Sequence, residues 1–268
     1  GWRDGQPFMI TCPIGLYSKA LVTDKTSAKT GMGKKAHMAL KTTTSYMGCE
    51  SFPLGLSLES QLPTGKGMAA STADIVAVIQ AVATAIDEEL EPEEIAEIAA
   101  GIEPTDGIFY PGIVQMNYMT GELIKSYGNA PKMIIAMFDM GGSINTVEFH
   151  SEYHGHEDSP KELLEAIDKL DVDFSPRQIA HVATLSALAN QKLVPKPHLE
   201  EIIKYSATLG ALGVNVAHSG TMVGVLFAPD ESMKHVMEAV EKIREKFPEL
   251  EYFETERLIS GGYDIEQR

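Results

Sequence analysis

Three short stretches hold the residue types that could do chemistry: "PTGKGMAASTADI" (63–75), "EPTDGIFYPG" (103–112) and "AHSGTMVGVLF" (217–227). In the first, Gly65, Lys66 and Gly67 precede Ala70-Ser71-Thr72-Ala73 and a long apolar run. Glycines let backbone amides approach phosphate oxygens closely. The first N–H groups of a helix have no internal partner, and the helix dipole adds partial positive charge there. Ser71 and Thr72 could offer hydroxyls to a phosphate or to a phosphate-bound Mg²⁺. A Walker loop is excluded, because it needs its lysine after the second glycine, followed by Ser or Thr. Here Lys66 stands before Gly67 and Met68 follows it. Lys66, inside the loop, is a better phosphate partner than Lys19. Taken alone, Asp106 in "TDG" is a good turn former. Glu103, three residues earlier, is as readily a helix-end charge as a metal ligand, and His218 beside the third stretch reads as structural.

Positioning such groups needs a strand before the loop and a helix after it. "LGLSLES" alternates and reads as that strand. After Ala70, apolar residues Ile75, Val76, Val78, Ile79, Val82 and Ile86 cover almost every side of a helix, so it is expected to be buried. "PFMITCPIGLYSKALVT" reads as two strands around a turn, "DKTSAKTGMGKK" as a mobile polar loop, and Lys35 to Tyr46 as a helix. "EPEEIAEIAAGIE" is a helix with Pro92 in its first turn and acidic residues where the dipole favours them. "IFY" after Asp106 is strand-like. Beyond Pro131, "KMIIAMFD" is a strand. Helices are expected at about 160–170, 175–191, 197–209 and 230–246, two of them opened by Ser159-Pro160 and Ser175-Pro176 caps. Two strands flank a Ser219-Gly220 turn, and a short strand lies near Leu258. Mixed strands and helices in both halves give an α/β or α+β class.

The chain has 268 residues, 44% hydrophobic and 22% charged, with a net charge of −16. That length suggests about two domains. The acidic balance argues against nucleic acid or an anionic membrane as a partner, since both need a basic surface. Cys12 and Cys49 are the only cysteines, too few for a disulfide framework. No apolar run reaches the roughly 18 residues that span a bilayer, and a cytoplasmic protein is expected.

Pro63-x-x-x-Gly67-Met68-x-Ala70-Ser71-Thr72-Ala73 resembles the phosphate loop of the GHMP kinases, P-x-x-x-G-[LM]-x-S-S-[AS]-A. Ala70 departs from that pattern where the family has its first serine, and Ser71 matches the second. "EPTDGIFYPG" and "AHSGTMVGVLF" resemble the next two family motifs, in the right order. With "TCPIGLYSKALV" and "DMGGSINTVEF", the whole chain is most similar to the L-threonine kinases of adenosylcobalamin biosynthesis. In that family a strand with a "CGE"-type motif stands upstream of the point where this sequence begins.

The resemblance implies an α+β, two-domain fold, with a ribosomal-protein-like domain over 1–129 and a ferredoxin-like domain over 130–268, and ATP between them. It implies that Pro63, Gly65, Lys66, Gly67, Met68, Ala69, Ala70, Ser71 and Thr72 hold ATP, with Ser71 and Glu103 on Mg²⁺. Asp106 would take the proton of the substrate hydroxyl, aided by Lys66, with Thr146, Ser219 and Gly220 near the substrate. The expected partners are ATP and a small hydroxyl substrate, and a homodimer is allowed. The alternatives are another GHMP kinase, such as a homoserine kinase, and a non-catalytic nucleotide- or metabolite-binding relative.

Overall fold

The buried helix expected after the glycine loop runs Ala70–Ala85. In the computed structural model, which describes residues 1–142 and 157–266, Ile75, Val76, Val78, Ile79 and Val82 are each at most 5% exposed. Burying one such side chain stabilises by about 1.5–3 kcal/mol, so this helix anchors its half of the molecule. Thr146 lies outside the described residues.

A short hairpin of β1 (Trp2–Arg3) and β2 (Gln6–Pro7) opens the chain. The next elements are β3 (Met9–Ile10), β4 (Ser18–Thr23), β5 (Lys29–Thr30), α1 (Lys34–Tyr46), β6 (Gly55–Ser60), α2 (Ala70–Ala85), α3 (Pro92–Ala100), β7 (Ile113–Met116) and β8 (Leu123–Gly128). They form two three-stranded sheets, ordered β4-β6-β5 and β3-β7-β8. α1, α2 and α3 share one core with Leu56, Leu58, Phe109 and Tyr110. α3 starts on a capping box in which Glu91 and Glu94 satisfy each other's backbone amides.

The later elements are β9 (Ile134–Asp139), α4 (Lys161–Asp168) with a 3₁₀ turn at Lys169–Asp171, α5 (Pro176–Asn190), α6 (Leu199–Thr208), β10 (Gly213–Val216), β11 (Met222–Phe227), α7 (Met233–Lys246) and β12 (Glu251–Arg257). Their four strands make an antiparallel sheet, ordered β10-β11-β9-β12. β11 is buried along its whole length and β9 along all but its last residue, Asp139, and the alternate residues Ile134, Ala136, Phe138, Val223, Val225 and Phe227 share one core with the helices. This is the helix-on-antiparallel-sheet arrangement expected for the second half.

By internal contacts the chain falls into two units that exchange short segments. The first comprises Pro7–Thr64, Ala69–Gly128 and the residues from Ser260 onward; the second comprises Gly1–Gln6, Gly65–Met68 and Asn129–Ile259. A single division at 129/130 remains a proposal about domains, and these exchanges are not visible in it.

Three local expectations are corrected. The "mobile" loop holds β5, which pairs in parallel with β6. Gly31 permits the close approach: at φ +70°, a Cβ there would sit 2.1 Å from the Leu58 carbonyl oxygen. The Lys29 ammonium also donates to the carbonyls of Ser27, Phe52 and Leu54. "IFY" is a buried turn rather than a strand, with Phe109 and Tyr110 1% and 2% exposed. Strand begins only at Ile113, after Gly112 has turned the chain at φ +83°. Ser159 does not cap α4; its hydroxyl accepts from the Trp2 amide, and Pro160 holds the cap position. Ser175 does cap α5, accepting from the Gln178 amide. The strand expected near Leu258 is β12, which ends at Arg257.

Candidate active site

The loop residues divide between the two units, and each part is built differently. In the first unit, Ala69 adopts the left-handed conformation (φ 55°, ψ 22°) and turns the chain into α2 without a side-chain cap. A non-glycine residue there costs about 1–2 kcal/mol. The first amides of α2 have no partner within the helix, and an anion beside them would be stabilised. Ser71 is half-buried in this first turn and Thr72 is fully buried. One turn on, Asp74 accepts from the Ser18 hydroxyl on β4 at 2.6 Å.

Thr72 brings Asp106 to the same helix end. Its Oγ1 donates to Asp106 Oδ2 at 3.4 Å and accepts from the Asp106 amide at 3.3 Å. Asp106 is held on the turn between α3 and β7, against which Gly107 is packed so closely that a Cβ would lie 2.3 Å from Met116 Sδ. Loss of solvation raises its carboxyl pKa from 3.8 to about 6; the negative Glu103 adds to the rise, and the Thr72 hydrogen bond opposes it. A carboxylate of this pKa can take a proton near neutrality.

Glu103 is almost wholly buried and pairs through Oε2 with Lys35, from the first turn of α1. Among the described residues, its Oε1 is buried with no hydrogen-bond partner, as is Thr105 Oγ1. Leaving a buried carboxylate oxygen unmet is costly, and such an oxygen suits a hard cation. Sequence reasoning missed Lys35; the Lys34-Lys35 pair gave no spacing signal to single it out.

In the second unit, Lys66 is held rather than loose. Its Nζ lies 2.5 Å from Asp139 Oδ2 and donates to the Gly142 carbonyl at 2.7 Å. Gly67, at φ +78°, lies on the turn after β10: a Cβ would fall 2.6 Å from Ala217 Cβ and 2.8 Å from Gly220 Cα. Gly220 is buried under the loop, where a Cβ would meet the Lys66 carbonyl oxygen at 2.1 Å. Ser219 is half-buried on the same turn. His218 is tied to α5, with Nε2 3.2 Å from Ser186 Oγ and its carbonyl accepting from Asn190. Thus Thr72, Asp106 and Glu103 belong to the first unit and Lys66, Ser219 and Gly220 to the second.

In the first unit a buried helix thus carries Thr72 in its first turn, and Thr72 holds a carboxylate of raised pKa, an arrangement suited to accepting a proton. Residues 34–109 match the GHMP kinases N terminal domain and residues 163–246 the GHMP kinases C terminal domain. The chain therefore belongs to the GHMP kinases, which use ATP as phosphate donor. It is 24% identical to an L-threonine kinase of Citrobacter freundii, over 99% of this chain and 95% of that protein. Among solved structures it is similar to the Methanococcus jannaschii mevalonate kinase, with TM-score 0.72 and 18% identity over 95% of this chain and 92% of that one. A homoserine kinase from Cytophaga hutchinsonii gives TM-score 0.60 and 15% identity, over 91% and 86%. Among the described residues no helix is long and apolar enough to cross a membrane.

Proposed function

We propose that this GHMP kinase transfers the γ-phosphoryl group of ATP to the side-chain hydroxyl of free L-threonine, giving the O-phosphothreonine that the resemblance places in cobalamin biosynthesis. The observation that carries the reading is the contact between Thr72 and Asp106, which sets a carboxylate of pKa about 6 on the first turn of the helix that the glycine loop opens. The whole-chain likeness to an L-threonine kinase supports the choice of substrate.

The loop 63–72 binds the ATP phosphates through backbone amides. Phosphoryl transfer needs positioning and neutralisation of charge more than covalent help. Asp106 orients the substrate hydroxyl and accepts its proton as the bond to phosphorus forms, while the bond to the leaving ADP oxygen breaks. Lys66 offers a cation to the phosphates. Mg²⁺ fits the oxygen donors present: Ser71 and the unmet Oε1 of Glu103 would hold it. When bound, the ion neutralises phosphate charge. Ser219, Gly220 and Thr146 stay assigned to the substrate side as part of this proposal, the enzyme works in the cytoplasm, and a homodimer is allowed.

The test is a panel of L-threonine, L-serine, L-homoserine and mevalonate with Mg-ATP, read as ADP release. L-Threonine is expected to lead, with serine roughly 10–200-fold weaker, because one methyl in a pocket discriminates by about that much. Homoserine leading the panel would overturn the substrate. No ADP release with any acceptor, from protein that binds Mg-ATP, would favour a non-catalytic relative.

A further inference from the structure

Lys66 sits in a loop read as phosphate-binding, yet its side chain points to a carboxylate of its own chain. Asp139 is the last residue of β9, and both of its oxygens are used. Oδ2 holds Lys66 Nζ at 2.5 Å. Oδ1 accepts from Thr221 Oγ1 at 2.6 Å and from the Gly141 amide at 3.0 Å. These donors hold its carboxyl below the usual range against the opposing effect of desolvation, so it is ionised at any working pH. Thr221 closes the arrangement, since its amide donates to the Lys66 carbonyl at 3.1 Å. Lys66 is thus gripped at both ends, by Asp139 on its ammonium and by Thr221 on its backbone.

An ammonium has three hydrogens to donate. Asp139 and the Gly142 carbonyl account for two, and the side chain is still 22% exposed. Among the described residues no third partner is seen, which leaves one N–H for a ligand oxygen. β9 pairs on both sides, with β11 and β12, and is buried up to Asp139. The grip therefore starts from the end of a strand paired on both sides, while Gly65 and Gly67, at φ +73° and +78°, take the left-handed turns that the loop requires.

We propose that Asp139 is the positioning residue of the glycine loop. Through Lys66 it fixes residues 65–68, and it presents the remaining ammonium hydrogen to the phosphate being transferred. In this assignment Asp139 acts through Lys66. The part concerning phosphate rests on the kinase reading above, whereas the part concerning the loop is a property of the protein alone. The arrangement also sets a carboxylate close to the lysine meant for an anion. Removing that carboxylate should lower turnover through lost positioning without weakening nucleotide binding, because it also removes a repulsive charge. A residue needed only for folding would instead lower stability and nucleotide affinity together.

The experiment uses the full chain carrying Asp139→Asn, Lys66→Met, both changes, or Thr221→Val. Amide exchange at Thr221 and over 65–68 in the nucleotide-free protein is expected to quicken at least tenfold in Asp139→Asn and in Lys66→Met, and no further in the double variant. Thr221→Val, which removes one donor from Asp139, should quicken exchange over 65–68 about threefold, and it decides the matter if Asp139→Asn does not fold. In turnover, each of the first two changes should cost about 10–100-fold in kcat and the pair no more than either alone, while the Kd for Mg-ATP by calorimetry moves less than threefold in Asp139→Asn and rises in Lys66→Met, which removes the cation offered to the phosphates. Unchanged exchange in Asp139→Asn, or kcat losses that multiply in the double variant, would overturn the proposal. Wild-type protein that fails to bind Mg-ATP removes the kinase reading, and the exchange data then decide the role of Asp139 by themselves.

Discussion

Lys35 and Glu103 form an ion pair across the first unit, from the start of α1 to the end of the α3 region, and only the lysine is open to solvent. The pair neutralises a carboxylate that would otherwise stand beside Asp106 with both oxygens bare. Lys35→Met is expected to destabilise the protein by about 1–3 kcal/mol, the usual cost of orphaning a buried polar group, and chemical denaturation measures it. Glu103→Gln removes the negative neighbour that helps to raise the Asp106 pKa. It should move the acid limb of the pH–rate profile to lower pH, and an unmoved limb would separate Glu103 from the base.

Asp106→Asn should lower kcat by roughly 10²–10⁴-fold, the usual contribution of a general base, while the protein still binds Mg-ATP. Stopped turnover with intact calorimetric binding is the expected pair of results. Full turnover would mean that the hydroxyl proton leaves by another route.

The raised pKa of Asp106 gives two dependences on pH. Turnover needs the carboxylate, so kcat/KM should rise with pH through about 6 and then level off. Stability runs the other way. The folded pKa lies above the ordinary 3.8, so the protonated form suits the folded protein, and that contribution is complete below pH 3.8 and lost as pH rises through about 6. Asp106→Asn should therefore raise Tm at pH 8 and leave it nearly unchanged at pH 4. Melting curves at the two pH values test this.

Gly67→Val forces a side chain onto Ala217 and Gly220 at a φ of +78°. The loop must move, so Mg-ATP affinity should fall by more than tenfold. α2 and both cores remain in place, and far-ultraviolet circular dichroism should be unchanged. Gly220→Ala meets the same loop from below, at the Lys66 carbonyl, and is expected to reproduce the loss.

Ser71→Ala removes the hydroxyl of a half-buried first-turn residue and leaves the amide cradle intact. Turnover at limiting Mg²⁺ should fall more than nucleotide affinity does, because the lost contact acts where charge shifts during transfer. Equal rates for Ser71→Ala and wild type at limiting Mg²⁺ would remove Ser71 from the metal.

Much of this was legible in the sequence wherever period or punctuation was strong. The all-round apolar run after Ala70, the Pro92 and Pro176 starts and the β9 run all give their elements to within a residue or two. β5 was hidden because its residues are polar and its support is backbone pairing and the Lys29 ammonium, neither of which leaves a hydrophobic pattern. "IFY" looked like a strand because its residues suit one, but Gly107 and Gly112 fold it into a buried turn. At the site, the loop and Asp106 stood out as motifs. The partners of Lys66 and Glu103 did not, since Asp139 is 73 residues and Lys35 68 residues away in the chain, and single-sequence spacing carries no signal over such separations.

The last described stretch has a consequence for how the protein is made. Residues from Ser260 onward belong to the first unit: Gly261 pairs with Gly112, and the Tyr263 hydroxyl donates to the Leu90 carbonyl at 3.2 Å. Domains usually fold as they leave the ribosome, the earlier one first. Here the earlier unit cannot close until residues 260–263 have been translated, after the whole of the later unit. Nascent chains stalled before Ser260 should hold α2 in place but leave the Leu90 and Gly112 edges open to proteases, and release of the complete chain should seal them.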